Sequence, residues 1–204
     1  MSGNKEMVGI IDYGAGNIRS VSNALNRLSV PHVVSNDFKK LNQVDKLIFP
    51  GVGEARSAMD ALFRTGLPGW LKEVTIPFLG ICLGMQLLFE HTTERATDCL
   101  GIISGTNERF KSGRSQIKVP HMGWNQVQQN GENPLFFGMK SDEYFYFVHS
   151  YYAPIVPATI GRTDYDVQFT SALQQKNYYG VQFHPEKSGK AGLQLLKNFI
   201  ELCS

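Results

Sequence analysis

The chain has 204 residues, 42% of them hydrophobic and 19% charged, the composition of a globular protein able to bury a full core. Twenty basic and eighteen acidic side chains leave a formal net charge of +2 with no basic run, which argues against nucleic acid and membrane surfaces as partners. The apolar stretch VGII after the polar MSGNKEM is too short for a signal peptide, and no apolar run nears the roughly 20 residues of a membrane span. Three widely spaced cysteines, Cys82, Cys99 and Cys203, do not suggest a disulfide framework, so a cytoplasmic location is expected.

Val8 to Ile11 reads as a short buried strand that ends in the turn DYGAGN. Ile18, Val21, Leu25 and Leu28 then recur at helical spacing. HVVS is a second strand, and KLIFPGVG a third, cut off by Pro50 and two glycines. Ala58 and Leu62 mark another helix, with a break at GLPG, and IPFLGI is a fourth strand, after which Leu83 to Phe89 begins a helix. QIKVPHMGWNQV, EYFYFVHSYYAPI, DVQFTSALQQ and NYYGVQFHPE read as strands separated by turns, and LQLLKNFIEL closes the chain as an amphipathic helix. Strands alternating with helices over the first 90 residues predict an α/β fold. The expected architecture is an open, mostly parallel sheet flanked by helices, with antiparallel strands added in the C-terminal half. No repeat or linker divides residues 1–204, so one domain is expected.

Gly80-Ile81-Cys82-Leu83-Gly84 lies where the fourth strand gives way to a helix. It is the cysteine counterpart of the Gly-x-Ser-x-Gly nucleophile elbow. A nucleophile on so sharp a turn needs small residues two before and two after it, because a β-carbon there would collide. The helix amino terminus would favour a thiolate, and the N–H of Leu83 would face an oxyanion formed at the sulfur. Cys99 and Cys203 lack such a setting.

A thiolate needs a base, and the histidines are His32, His91, His121, His149 and His184. Only His184 has an organised neighbourhood: VQFHPE is an apolar strand ending in His184, Pro185 and Glu186. Side chains two apart in extended backbone share a side, and proline keeps the segment from turning helical. Glu186 is therefore placed to orient His184. His149, in the aromatic strand YFVHSYY, reads as a satisfied core histidine. No His-x-x-x-His or Cys-x-x-Cys pair suggests a metal site.

FPGVGEA supplies a second oxyanion donor through the Val52 backbone, since its glycines let backbone approach a ligand closely. DYGAGNIR starts like a dinucleotide-binding turn, with Gly14, Gly16 and Asp37 in place, but Arg19 occupies the third glycine position and would spoil close packing.

PGVG, GICLGMQ and QFHPE together resemble the class I (triad) glutamine amidotransferases. DYGAGN, VPHMGWN, YFVHSYY and HPEKS further resemble the glutaminase subunits of imidazole glycerol phosphate synthases, over about Val8 to Phe199. The resemblance implies hydrolysis of L-glutamine and delivery of ammonia to a separate (βα)8 barrel cyclase subunit, a heterodimer in histidine biosynthesis. It implies Cys82, His184 and Glu186 as the triad, with Val52 and Leu83 at the oxyanion hole. Gly53, Gln86, Ser150 and Tyr151 match positions that hold glutamine. Glu94, in the divergent segment TTERATDCLG, is the candidate for its α-amine. Asn17, Lys187 and Ser188 fall in motifs that face the cyclase. No metal or organic cofactor is implied.

Two other readings compete. A paralogous glutaminase could serve a sugar-aminating synthetase, and a cysteine hydrolase or peptidase of similar architecture could act alone. Glutamine-dependent activity with a barrel partner favours the cyclase-coupled glutaminase, and hydrolysis of esters or peptides without a partner favours the hydrolase.

Overall fold

The structure, a computed structural model, describes residues 6–111 and 117–204. Gln116, the first residue of one expected strand, lies outside them.

The amino-terminal half follows the expected alternation. β1 (Val8–Ile11), α1 (Ile18–Arg27), β2 (His32–Ser35), a single turn α2 (Phe38–Leu41) and β3 (Lys46–Gly51) come first. α3 (Ala55–Thr65) ends at Gly66, whose φ of 70° is the left-handed stop that glycine permits. The helical path resumes at once as α4 (Leu67–Glu73), with Pro68 in its first turn, so the break expected over GLPG is one residue wide. β4 (Phe78–Cys82) leads into α5 (Leu83–Gln86).

The expected helix from Leu83 to Phe89 is corrected here. It lasts one turn and gives way to β5 (Phe89–Thr92), followed by β6 (Thr97–Asp98) and β7 (Ile103–Arg109). Leu87, Leu88 and Phe89 are all fully buried, so no apolar stripe distinguishes helix from strand in that run.

The rest of the chain is mostly β: β8 (His121–Gln129), β9 (Asp142–His149), β10 (Tyr151–Tyr152), β11 (Thr159–Tyr165), β12 (Val167–Gln175) and β13 (Tyr178–Val181), then α6 (Gly189–Leu202). Ile117 to Pro120, expected in a strand, lie outside β8. Among the described residues, nine strands form one sheet in the order β2-β1-β3-β4-β13-β12-β11-β8-β9. β2, β1, β3, β4 and β13 are parallel, and β12, β11, β8 and β9 add antiparallel pairings. The NYYGV strand is thus central, lying parallel to β4, where an antiparallel role was expected. β10, β7, β5 and β6 make a second, four-stranded sheet.

Alternation along the parallel strands sorts the core into two layers. Ile10, Ile48, Leu79, Ile81, Tyr179 and Val181 join α1 and α6 on one face. Ile11, Leu47, Phe49, Phe78 and Tyr178 join α3 and α4 on the other. Phe49, Phe78 and Phe199 are fully buried, and truncating any one to alanine should cost about 3–5 kcal/mol. A sheet covered on both faces leaves strand ends as the open positions, and the carboxyl ends of β3, β4 and β13 carry Gly51, Cys82 and the approach to His184.

Candidate active site

Cys82 ends β4 with φ 54° and ψ −111°, a conformation that L-residues rarely adopt. The turn closes because its neighbours lack side chains. A β-carbon on Gly80 would sit 2.7 Å from the Gly84 carbonyl oxygen, and one on Gly84 would strike the Phe49 carbonyl oxygen of β3. The second glycine thus admits the neighbouring strand, where the sequence suggested a clash within the turn. The thiol is 6% exposed, with the Val148 carbonyl 3.9 Å and the Gln182 amide nitrogen 3.7 Å from its sulfur. With only four residues, α5 supplies little aligned dipole, so the thiolate support expected from a helix amino terminus is weak.

The other cysteines stand apart. Burial pushes the Cys99 thiol up to about 12, with Asp98 and Glu94 adding to it. Burial likewise pushes Cys203 up to about 11, against Tyr179 and Lys46.

His184 follows β13 by way of Gln182 and Phe183, and Pro185 opens a 3-10 turn over Pro185–Lys187. The proline therefore starts the turn that carries Glu186, rather than keeping the segment extended. His184 Nδ1 lies 2.8 Å from Glu186 Oε1, and both side chains are about 1% exposed. Burial of the ring opposes its protonation. The charge of a Cys82 thiolate and the bond to Glu186 outweigh that and raise the His184 pKa to about 10. Nε2 is buried without a hydrogen-bond partner among the described residues. The backbone here is clamped: His184 N–H donates to the Tyr146 carbonyl at 2.9 Å, and the Ser188 hydroxyl donates to the His184 carbonyl at 2.7 Å.

Cys82 and His184 line a cavity of about 190 Å³ with Val52, Gly53, Leu83, Gln86, Glu94, Val148, His149 and Tyr151. Larger depressions exist, about 470 Å³ around Gln129–Met139 and about 580 Å³ beside Glu108–Lys111, but neither joins a thiol to an imidazole. Chemistry, not size, selects the site. Its volume lies below the roughly 300–1,000 Å³ of drug-sized pockets, which suits one small molecule.

Most of the expected substrate positions meet here. Gln86 is buried and donates to the Tyr151 carbonyl at 2.8 Å. Glu94 Oε2 accepts the Ala55 N–H at 2.7 Å, which holds the carboxylate at the start of α3. Burial raises the Glu94 pKa, the Ala55 bond lowers it, Glu54 raises it and Arg95 lowers it, with a net rise. Gly53 has φ 95°, a turn open to glycine, and Val52 is 39% exposed at the rim. Ser150 does not line the cavity: its carbonyl accepts the Phe110 N–H at 3.0 Å, toward the end of β7.

The three residues expected to face a partner divide. Lys187 is exposed, its Nζ 6.0 Å from the Tyr146 ring centroid. Asn17 is half-buried and donates toward Glu186 Oε1 at 3.4 Å, so it also touches the histidine's carboxylate. Ser188 is 2% exposed and spends its hydroxyl on His184 and on the Tyr146 N–H at 3.0 Å; it braces the site internally.

His149 is buried and bonded at both ring nitrogens, to the Tyr151 carbonyl at 2.8 Å and to His121 at 2.9 Å. Burial first pushes its pKa down to about 3, so it stays neutral and is no rival base. Sequence reasoning missed Gln182, which touches the sulfur; an amide inside the apolar run GVQF was the available signal. The Gly14 and Gly16 turn fits against β3, with a β-carbon on Gly16 falling 2.9 Å from the Pro50 carbonyl oxygen.

Comparison with known proteins agrees with this geometry. The family described as "Glutamine amidotransferase class-I" matches residues 9–202. The imidazole glycerol phosphate synthase subunit HisH of Bacteroides fragilis is 50% identical over 195 residues, covering 96% of this chain and 99% of that protein. HisH of Bacteroides thetaiotaomicron is 47% identical over the same shares. Among solved structures, a glutamine amidotransferase superposes with a TM-score of 0.73 at 19% identity, covering 96% of this chain and 97% of that one; this likeness speaks to the fold. The chain belongs to the class I glutamine amidotransferases and, within them, to the HisH subunits of imidazole glycerol phosphate synthase.

Proposed function

We propose that residues 1–204 act as one glutaminase domain that releases ammonia from L-glutamine and passes it to a (βα)8 barrel cyclase subunit, within a cytoplasmic heterodimer of histidine biosynthesis. The observation that carries the reading is the convergence of Cys82 and His184 on one small cavity, with Glu186 bonded behind the imidazole.

In this reading the Cys82 thiolate attacks the glutamine carboxamide carbon, and the carbonyl electrons move to oxygen. The Val52 and Leu83 N–H groups receive that oxyanion. His184, protonated and held by Glu186, gives its Nε2 proton to the departing nitrogen as the C–N bond breaks. A thioester remains. His184, now neutral, takes a proton from water as the water attacks, and glutamate leaves with the thiolate restored. Gly53, Gln86 and Tyr151 hold the substrate. Glu94 meets its α-ammonium, one carboxylate oxygen being fixed by Ala55. Ser150 acts through the backbone that sets Tyr151.

Partner docking has support on the same side of the molecule. Met122, Trp124 and Tyr144 are exposed on β8 and β9, and Trp124 pairs with Tyr146, over which Lys187 lies. Met122 also pairs with Val148, which lines the cavity. An apolar patch beginning at the cavity wall suits a partner that takes ammonia before bulk water protonates it. The test is glutamate release from L-glutamine by the purified chain. Cys82→Ser should abolish release while leaving the melting curve intact, and release undiminished in that variant would overturn the reading.

A further inference from the structure

Gln182 lies just past β13, fully buried between Val181 and Phe183. Burying a primary amide is costly unless its donors and acceptor are met. Its Oε1 accepts from Gln86 Nε2 at 2.8 Å, and its Nε2 donates toward the Cys82 sulfur at 3.7 Å. The reverse amide orientation would set two NH2 groups against each other and a carbonyl against the sulfur, so the network itself fixes the direction.

The bonds continue beyond Gln86. Its amide nitrogen also donates to the Tyr151 carbonyl at 2.8 Å, and that carbonyl accepts from His149 Nδ1 at 2.8 Å. His149 Nε2 is therefore the acceptor for His121 Nδ1 at 2.9 Å, and His121 Nε2 accepts from Asn125 Nδ2 at 3.3 Å. Every link has one allowed direction while both imidazoles are neutral. Burial keeps them so, pushing His121 down to about 4 and His149 to about 3. Two donor runs therefore meet at the Tyr151 carbonyl: one passes from Asn125 through His121 and His149 and ends there, and the other starts at the Gln86 amide and ends with Gln182 donating to the sulfur.

The consequence falls on the thiol. The Val148 carbonyl, 3.9 Å from the sulfur, can only accept and favours the protonated form. Gln182 can only donate at this place and favours the thiolate. Both amide protons of Gln86 are taken, by the Tyr151 carbonyl and by Gln182, which leaves its Oε1 able only to accept.

We propose that Gln182 is a positioning residue for the reaction: its buried amide holds the Cys82 sulfur, stabilises the thiolate, and locks the Gln86 amide in one orientation. This rests on Cys82 being the nucleophile.

The experiment is the pH dependence of iodoacetamide alkylation at Cys82, followed by peptide mapping in the full chain. Gln182→Met removes the donor at similar volume, and the profile midpoint should move upward by about one pH unit, a roughly tenfold slower reaction at neutral pH. Gln182→Glu keeps an acceptor for Gln86 but places a carboxylate beside the sulfur, so its midpoint should move up further. Midpoints in both variants equal to the parent chain would overturn the proposal. If Gln182→Met fails to melt cooperatively, Gln182→Glu alone decides, and a midpoint at or below the parent's rejects it. Glutaminase activity of Cys82→Ser is measured in parallel: activity there removes the nucleophile assignment, whatever the alkylation profiles show.

Discussion

His184 and Glu186 form a buried pair, Nδ1 to Oε1 at 2.8 Å, that points Nε2, unpartnered among the described residues, away from the carboxylate. The geometry separates the two roles. His184→Ala removes the proposed proton carrier and should lower glutamine turnover by about 10²- to 10⁴-fold. Glu186→Gln keeps an acceptor at Oε1 and should cost less, since the carboxylate orients without reacting. Steady-state kinetics check both; His149→Ala inactive beside a normal His184→Ala would reverse the assignment.

The cysteines should differ in reactivity at neutral pH. Cys99 and Cys203 have thiols pushed up to about 12 and about 11, chiefly by burial, and the thiolate is the nucleophile. A glutamine-like electrophile should therefore label Cys82 alone. Cys99→Ser and Cys203→Ser should stay active. Mass mapping after labelling checks this, and heavy modification at Cys99 with Cys82 untouched would contradict it.

The Val52 loop, the proposed oxyanion donor, offers a backbone test. Val52 lies between Gly51 and Gly53, and proline at position 52 would delete its N–H. Val52→Pro should lower turnover by about 100- to 1,000-fold. Cys82 should remain alkylatable, because the elbow is built on β4. Kinetics and alkylation on one sample separate these outcomes.

Acid should weaken the fold through the His121–His149 pair. An unfolded histidine takes up its proton near the ordinary value of 6.5, whereas in the fold His121 waits until about 4 and His149 until about 3. Between those values the unfolded chain binds more protons, so this contribution is intact above about 6.5 and is lost as pH falls toward 4. His184, raised to about 10, has the opposite sign: its contribution is present below about 6.5 and is lost as pH rises through 10. Calorimetry from pH 7 to 5 should show the melting temperature falling more in the parent chain than in His121→Asn/His149→Gln. Equal slopes would contradict the assignment.

How much of this was legible in the sequence depends on distance along the chain. The elbow was readable because Gly80 and Gly84 flank Cys82 within five residues, and local sterics demand them. The His184–Glu186 pair was readable from spacing, although the turn begun by Pro185 creates it. The early end of α5 was hidden because Leu87 to Phe89 are buried on every side. Small strands β5 to β7 carry no regular alternation and depend on pairing with one another. The Gln182–Cys82 contact spans 100 positions and exists only because β13 lies parallel beside β4. Ser188 sits in a recognisable motif, yet only the fold shows its hydroxyl turned inward to His184.

The most direct test of the whole account is glutamate release from L-glutamine by the purified chain, alone and with a barrel cyclase subunit carrying its own ligand. The glycine-flanked Val52 peptide, as the proposed oxyanion donor, can reorient cheaply to complete or disrupt the hole, so slow hydrolysis alone is predicted, with a marked rise on adding the liganded partner. Lys187→Ala should weaken that rise and leave the slow basal rate nearly unchanged. Full-speed hydrolysis by the lone chain, indifferent to any partner, would contradict the account and return it to a free-standing hydrolase.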